Sequence, residues 1–260
     1  MLDEAAVNQI ICIYNSLRFD VPRDRDVRKK RRIRGDVIDQ DSIYGEATDV
    51  FAKFLAEKIS ANQIFMDIGS GTGNLMMLIA ALTKANVFGI EYEPSLHDTC
   101  LRNRQHFIDT FAKYNISHGS VTCIGGNATA FEKLDIPPIL ADVVFINNFV
   151  MSAGLVEQML NSALQAKAIK PFLTLYVLKA LVFPRSEKPG DNLRLYLTKK
   201  PRAYLLPESC FTWSSKQYQL KEYNFDFSLD PNVPSDTTPS RDELKIFTAE
   251  SDVEGPVKRK

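Results

Sequence analysis

Residues 64–74, IFMDIGSGTGN, constrain the fold of this chain more than any other stretch. An apolar run interrupted by one acid, Asp67, is followed at once by three glycines at alternate positions. A short apolar run that ends at glycines is typical of a buried strand, and glycine tolerates the sharp backbone turn that comes next. The stretch therefore predicts a strand, a tight turn and a helix start, the place where open α/β sheets bind nucleotide-like ligands.

The spacing of these glycines separates two classes of ligand. A dinucleotide-binding turn has glycine at the sixth position of G-x-G-x-x-G, and counted from Gly69 that position is Asn74. The pattern present is D-x-G-x-G-x-G, and it resembles motif I of the class I S-adenosylmethionine-dependent methyltransferases. Their ligand carries positive charge, which the Asp67 carboxylate attracts, whereas a pyrophosphate would be repelled. A glycine-rich turn that binds no ligand is the alternative.

A second acid follows the next predicted strand. Residues 86–90, NVFGI, predict that strand, and Glu91 stands at its carboxyl end. A carboxylate at this place can accept hydrogen bonds from both ribose hydroxyls of a nucleotide-like ligand. NAD-binding folds also have an acid at this position, so Glu91 alone does not distinguish NAD from S-adenosylmethionine. A solvated acid at a strand end, with no ligand, is the other alternative.

Predicted strands and helices alternate along the chain from residue 64 onward. The strands are predicted at 64–68, 86–91, 121–124, 141–148 and 172–178, and the helices at 5–17, 48–59, 74–82, 94–114 and 154–167. Alternation of this kind indicates a parallel sheet with right-handed crossovers. After Pro184, short strands at 193–198, 203–206 and 213–227 predict an antiparallel edge. The predicted fold class is α/β, a Rossmann-like, mainly parallel sheet with helices on both faces and an antiparallel C-terminal edge.

Composition excludes several classes of protein. A chain of 260 residues with 45% apolar content can bury a sizeable core. It has no apolar run of about 18 residues and no basic-then-apolar N-terminus, so we expect a soluble intracellular protein with no membrane contact. The four cysteines form no C-x-x-C pair and the three histidines no H-E-x-x-H motif. We therefore expect neither a disulfide framework nor a metal site.

The zero net charge conceals one strongly basic segment. Residues 23–34, RDRDVRKKRRIR, contain eight basic and two acidic residues and are too charged to form a core. We call them the basic strip. A solvated arm, a nuclear-import signal and a nucleic-acid contact are compatible interpretations. The basic residues are Arg23, Arg25, Arg28, Lys29, Lys30, Arg31, Arg32 and Arg34.

Four segments in a fixed order carry a more specific resemblance: IYGEATDVF, DIGSGTG, GIE and VVFINNF. With them the chain resembles the Dot-one (disruptor of telomeric silencing) family, the non-SET histone H3 lysine methyltransferases. The similarity runs from about residue 43 to 185 and continues more weakly to about residue 218. The glycine motif alone indicates only a methyltransferase, whereas YGE and NNF at these positions are far more specific.

The resemblance implies a nuclear enzyme that transfers methyl from S-adenosylmethionine to a lysine on the histone H3 surface of the nucleosome core, leaving S-adenosylhomocysteine. It gives the basic strip a partner, nucleosomal DNA. The resemblance, residue spacing and composition together give a domain organisation: an N-terminal helix and basic arm over 1–40, a catalytic domain over 41–228, and a tail over 229–260 whose prolines and acids predict disorder.

The same resemblance implies a cofactor site without metal. Tyr44, Gly45 and Glu46 would form a loop over the methionyl end of the cofactor. Asp67, Gly69, Ser70, Gly71 and Gly73 match motif I, Asn74 stands where relatives often have glutamine, and Glu91 matches the ribose-binding acid. Asn127, with Ala128 beside it, stands where the family usually has an aspartate that contacts adenine, and Asn147 matches the active-site asparagine.

Lysine methylation also makes a chemical demand on the site. A lysine ammonium, with a pKa near 10.4, must lose its proton before its nitrogen can attack a methyl group. A narrow apolar and aromatic channel disfavours the charged amine and aligns it, and no dedicated histidine base is evident. Phe149, Met151 and Tyr218 are the predicted channel walls, with Met151 replacing an aromatic residue of relatives.

Two other functions remain open at this point. A nucleic-acid or small-molecule N-methyltransferase could use the same fold, although such enzymes tend to carry Asn or Asp before Pro-Pro-aromatic after this strand. Here that position reads Asn147, Asn148, Phe149, and the two prolines, Pro137 and Pro138, precede the strand. A non-catalytic chromatin-binding module is the second alternative, which measurable cofactor binding would disfavour.

Overall fold

The structure is a computed structural model that describes residues 2–17, 47–134, 136, 138–149, 151–181, 183, 193–212 and 217–229. It divides into two compact units. The first unit comprises residues 1–128 and 207–216, and the second comprises residues 129–206 and 217–260. The predicted loop of Tyr44, Gly45 and Glu46, the basic strip and the predicted tail beyond residue 229 lie outside the described residues.

The first unit alternates helices with parallel strands. Its elements are α1 (Glu4–Ser16), α2 (Asp49–Ala56), β1 (Ile64–Ile68), α3 (Asn74–Thr83), β2 (Asn86–Glu91), α4 (Pro94–Lys113) and β3 (Val121–Gly125). The three strands lie in the order β3-β2-β1, and both pairs are parallel. The carboxyl ends of β1 and β2 therefore lie side by side, with Asp67 opposite Gly89.

Burial explains why these sequences form these elements. Four of the five residues of β1 are buried, as expected for a strand covered on both faces. In α3 every residue from 75 to 82 is buried, because this helix is apolar on all sides and is packed as a core helix. The helix that begins at the glycine turn is thus the central helix of the unit.

The second unit combines a parallel strand pair with an antiparallel edge. It contains β4 (Ala141–Ile146), α5 (Ala153–Gln165), β5 (Ile169–Val177), β6 (Arg202–Leu205) and β7 (Gln219–Asp226), with short 3-10 helices at Phe131–Lys133 and Leu193–Tyr196. Within this unit the strand order is β4-β5-β7-β6. Strands β4 and β5 are parallel, whereas β7 pairs antiparallel with both β5 and β6.

The mixed α/β fold with mainly parallel strands and an antiparallel edge is confirmed. One element was predicted wrongly, because residues 193–196 of the expected strand 193–198 form a 3-10 helix. The N–H of Leu197 donates to the carbonyl of Arg194 at 3.1 Å, a local bond across three residues that closes a 3-10 turn and not a strand ladder. Only Leu197 makes a β-bridge in this stretch, with Phe225. No described helix has the length and apolar character needed to span a lipid bilayer.

Candidate active site

The turn between β1 and α3 is built from glycines in left-handed backbone conformations. Gly69, Gly71 and Gly73 have φ of 84°, 58° and 86°, values that side-chain-bearing residues adopt only with strain. The backbone N–H groups of Gly69 and Ser70 both donate to the carbonyl of Ile90, at 2.8 and 3.1 Å. The turn is therefore attached directly to the end of β2.

The carboxylate of Glu91 completes this attachment. Its Oε2 accepts the N–H of Gly71 at 2.9 Å and its Oε1 accepts the N–H of Glu93 at 2.7 Å. The Glu91 residue is only 6% exposed, so its orientation is well defined. Each carboxylate oxygen can accept more than one hydrogen bond, so these two contacts do not by themselves prevent Glu91 from binding the hydroxyls of a ribose.

Asp67 is the second acid, and its charge is poorly compensated. Burial, together with the negative charge of Glu91, raises the pKa of the Asp67 carboxyl from 3.8 to about 7. A nearby positive charge would favour the ionised carboxylate and lower this pKa again. The position is suited to a ligand that brings its own cationic group.

Ser70 provides a buried hydroxyl in the same turn. Among the described residues its Oγ has no hydrogen-bond partner, which is unusual for a buried polar atom and leaves this hydroxyl available to a ligand. A Cβ added at Gly89 would come within 2.8 Å of both Cβ and Oγ of Ser70. Gly89 is therefore the residue that makes room for this side chain. The carboxylates of Asp67 and Glu91 and the hydroxyl of Ser70 together fit S-adenosylmethionine, which has a cationic end and ribose hydroxyls.

Tyr14 supports the turn in a way that the sequence did not reveal. Its hydroxyl lies 3.0 Å from the main-chain oxygen of Asn74 and 3.2 Å from Asn74 Oδ1, so it can donate to either. From the sequence, Tyr14 was only one residue of the helix predicted at 5–17. The one available signal was its type, because a buried tyrosine hydroxyl generally finds a partner.

The end of β3 leads to the predicted adenine-contacting residues. The N–H of Gly126 donates to the carbonyl of Glu91 at 2.9 Å. Asn127 follows and is exposed, whereas Ala128 is buried. The structure thus brings this segment to the same strand end as Glu91, within the first unit.

In the second unit the two asparagines after β4 differ in role. Asn148 is buried, and its Oδ1 accepts the N–H groups of Leu178 and Lys179 at 2.9 and 2.8 Å. Its Nδ2 donates to the carbonyl of Lys179 at 2.9 Å. Asn147 is half-buried, and its Oδ1 lies 3.4 Å from the N–H of Phe149. Asn148 therefore holds the segment that follows β5 through three hydrogen bonds. The side-chain amide of Asn147 can still form hydrogen bonds to a ligand.

Two of the three predicted channel residues are brought together. The rings of Phe149 and Tyr218 meet edge to face with centroids 5.5 Å apart. Met151 is half-buried, and its N–H donates to the carbonyl of Asn148. Lys179 was not predicted as a site residue, yet its Nζ lies 4.9 Å from the centroid of the Phe149 ring. The sequence feature that could have indicated Lys179 was its position at the end of an apolar predicted strand.

Comparisons with known proteins give the chain its family. Residues 35–219 match the family described as "Histone methylation protein DOT1", the Dot-one family. A Chaetomium globosum protein named "Histone-lysine N-methyltransferase, H3 lysine-79 specific" is 26% identical over 129 residues, which is 49% of this chain and 25% of that protein. The protein of the same name from Emericella nidulans is 25% identical over 49% of this chain and 26% of its own length.

The matched segment therefore spans about a quarter of these relatives. Among solved structures, M. capricolum TrmK in complex with S-adenosylhomocysteine is 17% identical, with 76% of this chain and 80% of that chain covered and a TM-score of 0.45. The family match covers residues 35–219, well over half of this chain. This chain therefore belongs to the DOT1 histone methylation protein family.

Proposed function

We propose that the chain is a nuclear, S-adenosylmethionine-dependent histone lysine N-methyltransferase that acts on histone H3 in the nucleosome. The observation that carries this proposal is the motif I turn held by Glu91, in a chain of the DOT1 family. The names of the relatives favour lysine 79 of histone H3 as the target.

Residues of the first unit would hold the cofactor. The glycine turn allows close approach of the ligand, the Ser70 hydroxyl offers an unused hydrogen-bonding group, and Glu91 offers acceptors for ribose hydroxyls. Asp67 offers negative charge for the cationic end. Tyr44, Gly45, Glu46, Asn127 and Asn147 are assigned by resemblance alone. When bound, S-adenosylmethionine supplies an electrophilic methyl group.

Residues of the second unit would prepare the amine. Phe149 and Tyr218 form an apolar aromatic surface, beside which a charged ammonium loses hydration that it would keep in water. The ammonium of Lys179 already lies over the Phe149 ring, and a second positive charge beside it is disfavoured by repulsion. Both effects lower the pKa of an incoming lysine, so they favour the neutral amine that attacks methyl. Asn147 would orient the reacting groups.

The basic strip would contact nucleosomal DNA. Its eight basic residues could each neutralise a phosphate and release a counterion. Such binding is independent of base sequence and suits an enzyme whose substrate is a histone wrapped in DNA.

Methyl transfer from labelled S-adenosylmethionine tests the function directly. Intact nucleosomes, free histones and naked DNA serve as parallel substrates, and Asn147→Ala serves as the inactive variant. Asn8→Ala is the matched control, because Asn8 is exposed on α1. Label on histone H3 from nucleosomes, lost in Asn147→Ala and kept in Asn8→Ala, is the expected result. Label on DNA alone would favour a nucleic-acid methyltransferase, and no transfer despite cofactor binding would favour a chromatin-binding module.

A further inference from the structure

Two cysteines of the first unit lie in direct contact. The Sγ atoms of Cys100 on α4 and Cys123 on β3 are 2.9 Å apart, and both are free thiols. A disulfide bond requires about 2.05 Å between the sulfurs. A displacement of about an ångström would therefore join two residues that are 23 positions apart in the chain.

The environment gives the two thiols different reactivity. The S–H of Cys100 donates to the sulfur of Cys123, and this hydrogen bond, together with the positive charge of Arg104, lowers the pKa of Cys123. The same hydrogen bond and burial raise the pKa of Cys100. Cys123 is half-buried, whereas Cys100 is fully buried. A reachable thiol with a lowered pKa beside a buried thiol with a raised pKa is the usual arrangement of a redox-sensing pair.

The pair lies against the glycine turn of the candidate active site. A Cβ added at Gly73 would come within 2.6 Å of Cys100 Sγ, so the sulfur fills the space beneath that glycine. Cys100 Sγ is also 3.9 Å from Met76 Sδ on α3. A shift of the Cys100 sulfur would therefore be transmitted to the last glycine of the turn and to the first turn of α3.

We propose that Cys100 and Cys123 are a modification site, a dithiol that a peroxide oxidises reversibly to a disulfide. The Cys123 thiolate attacks one peroxide oxygen, the O–O bond breaks, and a sulfenic acid forms while the leaving hydroxide takes a proton to become water. The Cys100 sulfur then attacks Cys123, forming the S–S bond and expelling the sulfenic oxygen as a second water with the Cys100 proton. Two electrons pass from the thiols to the peroxide.

The other cysteines lack these features. Cys12 is exposed on α1, and Cys210 is buried with its pKa raised by burial to about 11. Disulfides in reducing compartments are mostly transient and regulatory, so a poised pair of this kind suits an intracellular sensor better than a structural bridge. A thiol reductant would restore the pair.

The disulfide should weaken cofactor binding, because it displaces the sulfur that supports Gly73. This consequence rests on the proposed function, whereas the thiol chemistry does not. Coupling between neighbouring sites commonly changes affinity by about 5–150-fold, and we expect about a tenfold fall here.

Peptide mapping of the full chain after hydrogen peroxide treatment tests the pair. We expect a cross-link between the peptides of Cys100 and Cys123 in the wild type and in Cys12→Ser, reversed by dithiothreitol and absent in Cys123→Ser. In Cys100→Ser the reaction should stop at a sulfenic acid on Cys123, which dimedone traps. Oxidation of Cys12 with no such cross-link in the wild type would overturn the proposal, and this result needs no variant.

Calorimetry with S-adenosylmethionine separates the two proposals. If the reduced protein binds no cofactor while the cross-link forms, the proposed function fails and the dithiol stands. If the reduced protein binds cofactor and no cross-link forms, the dithiol fails and the function stands. Equal affinity of the reduced and cross-linked forms would overturn the coupling to the turn.

Discussion

Glu91 Oε2 accepts the backbone N–H of Gly71 at 2.9 Å, across 20 residues of chain. The acid that the sequence assigned to a ligand is therefore also a support of the turn that is proposed to bind the ligand. Its removal would leave the Gly71 N–H without its acceptor and would also remove the acid that is proposed to bind ribose. Substituting Glu91 consequently cannot separate folding from binding, and other positions make cleaner tests.

Gly73→Ala should destabilise the turn. Its φ of 86° is strained for alanine, and the added Cβ would meet Cys100 Sγ at 2.6 Å. Together these effects should lower the free energy of unfolding by about 1–3 kcal/mol and weaken cofactor binding. Urea unfolding measures the first effect. The matched control is Gly154→Ala on α5, where an added Cβ meets nothing within 4 Å and the change should stay within about 0.5 kcal/mol. Equal losses in both variants would contradict the prediction.

Asp67→Asn should flatten the pH dependence of stability. With a native pKa of about 7 against 3.8, Asp67 holds a proton in the folded state that the unfolded chain has already lost between these values. Stability from this group is therefore full below about pH 4 and falls as pH rises towards and through about 7. Unfolding measured at about pH 5 and about pH 8 should show a smaller drop for Asp67→Asn than for the wild type. The exposed Asp98 supplies the control, Asp98→Asn, which should match the wild type.

Cofactor affinity should depend on the same proton. A cationic ligand favours the ionised Asp67 carboxylate, so binding near neutral pH should release a proton. The affinity of the wild type should rise through about pH 7, and that of Asp67→Asn should be lower at high pH and nearly independent of pH. A pH-independent wild-type affinity would show that the ligand does not reach Asp67.

The adjacent asparagines Asn147 and Asn148 should respond differently to alanine. Asn148→Ala removes three hydrogen bonds to residues 178 and 179 and should cost about 3 kcal/mol of stability. Asn147→Ala should cost less than about 1 kcal/mol but abolish methyl transfer. Thermal unfolding of each variant measures the loss of stability, and turnover measures the loss of methyl transfer. A stable, active Asn147→Ala protein would remove Asn147 from the mechanism.

Tyr14→Phe should loosen the start of α3. The substitution keeps the buried ring and removes only the hydroxyl that reaches Asn74, at a cost of about 1 kcal/mol and some loss of cofactor affinity. Tyr114→Phe is the matched control, because Tyr114 is exposed at the end of α4. If both variants bind cofactor like the wild type, the contact of Tyr14 with Asn74 does not contribute to the site.

Replacing the basic residues of the basic strip with glutamine should weaken nucleosome binding and its dependence on salt. The slope of log affinity against log salt concentration is negative, and each phosphate that the variant no longer neutralises should make it shallower by about 0.9. Binding measured at several salt concentrations gives that slope. Asp24→Asn with Asp26→Asn in the same segment is the control and should not reduce affinity. An unchanged slope after replacement of all eight basic residues would exclude the DNA contact.

The sequence by itself determined the features that depend on short-range pattern. The bounds of β1 were predicted correctly because a short apolar run that ends directly at a glycine turn has few alternative structures. The positions of Asp67, of the three turn glycines and of Glu91 followed from the same local rules, as did the antiparallel edge. Family resemblance then added residues that no local rule selects.

Only the tertiary structure decided which distant side chains meet. Tyr14 reaches Asn74 across 60 residues, Lys179 covers the ring of Phe149, and Cys100 contacts Cys123. Periodicity predicts whether a side chain is buried, but the partner of a buried polar or sulfur atom depends on how whole elements pack. Residues 193–196 likewise formed a 3-10 helix in place of the predicted strand, closed by the bond from the Leu197 N–H to the Arg194 carbonyl, because a strand depends on pairing partners that local preference does not reveal.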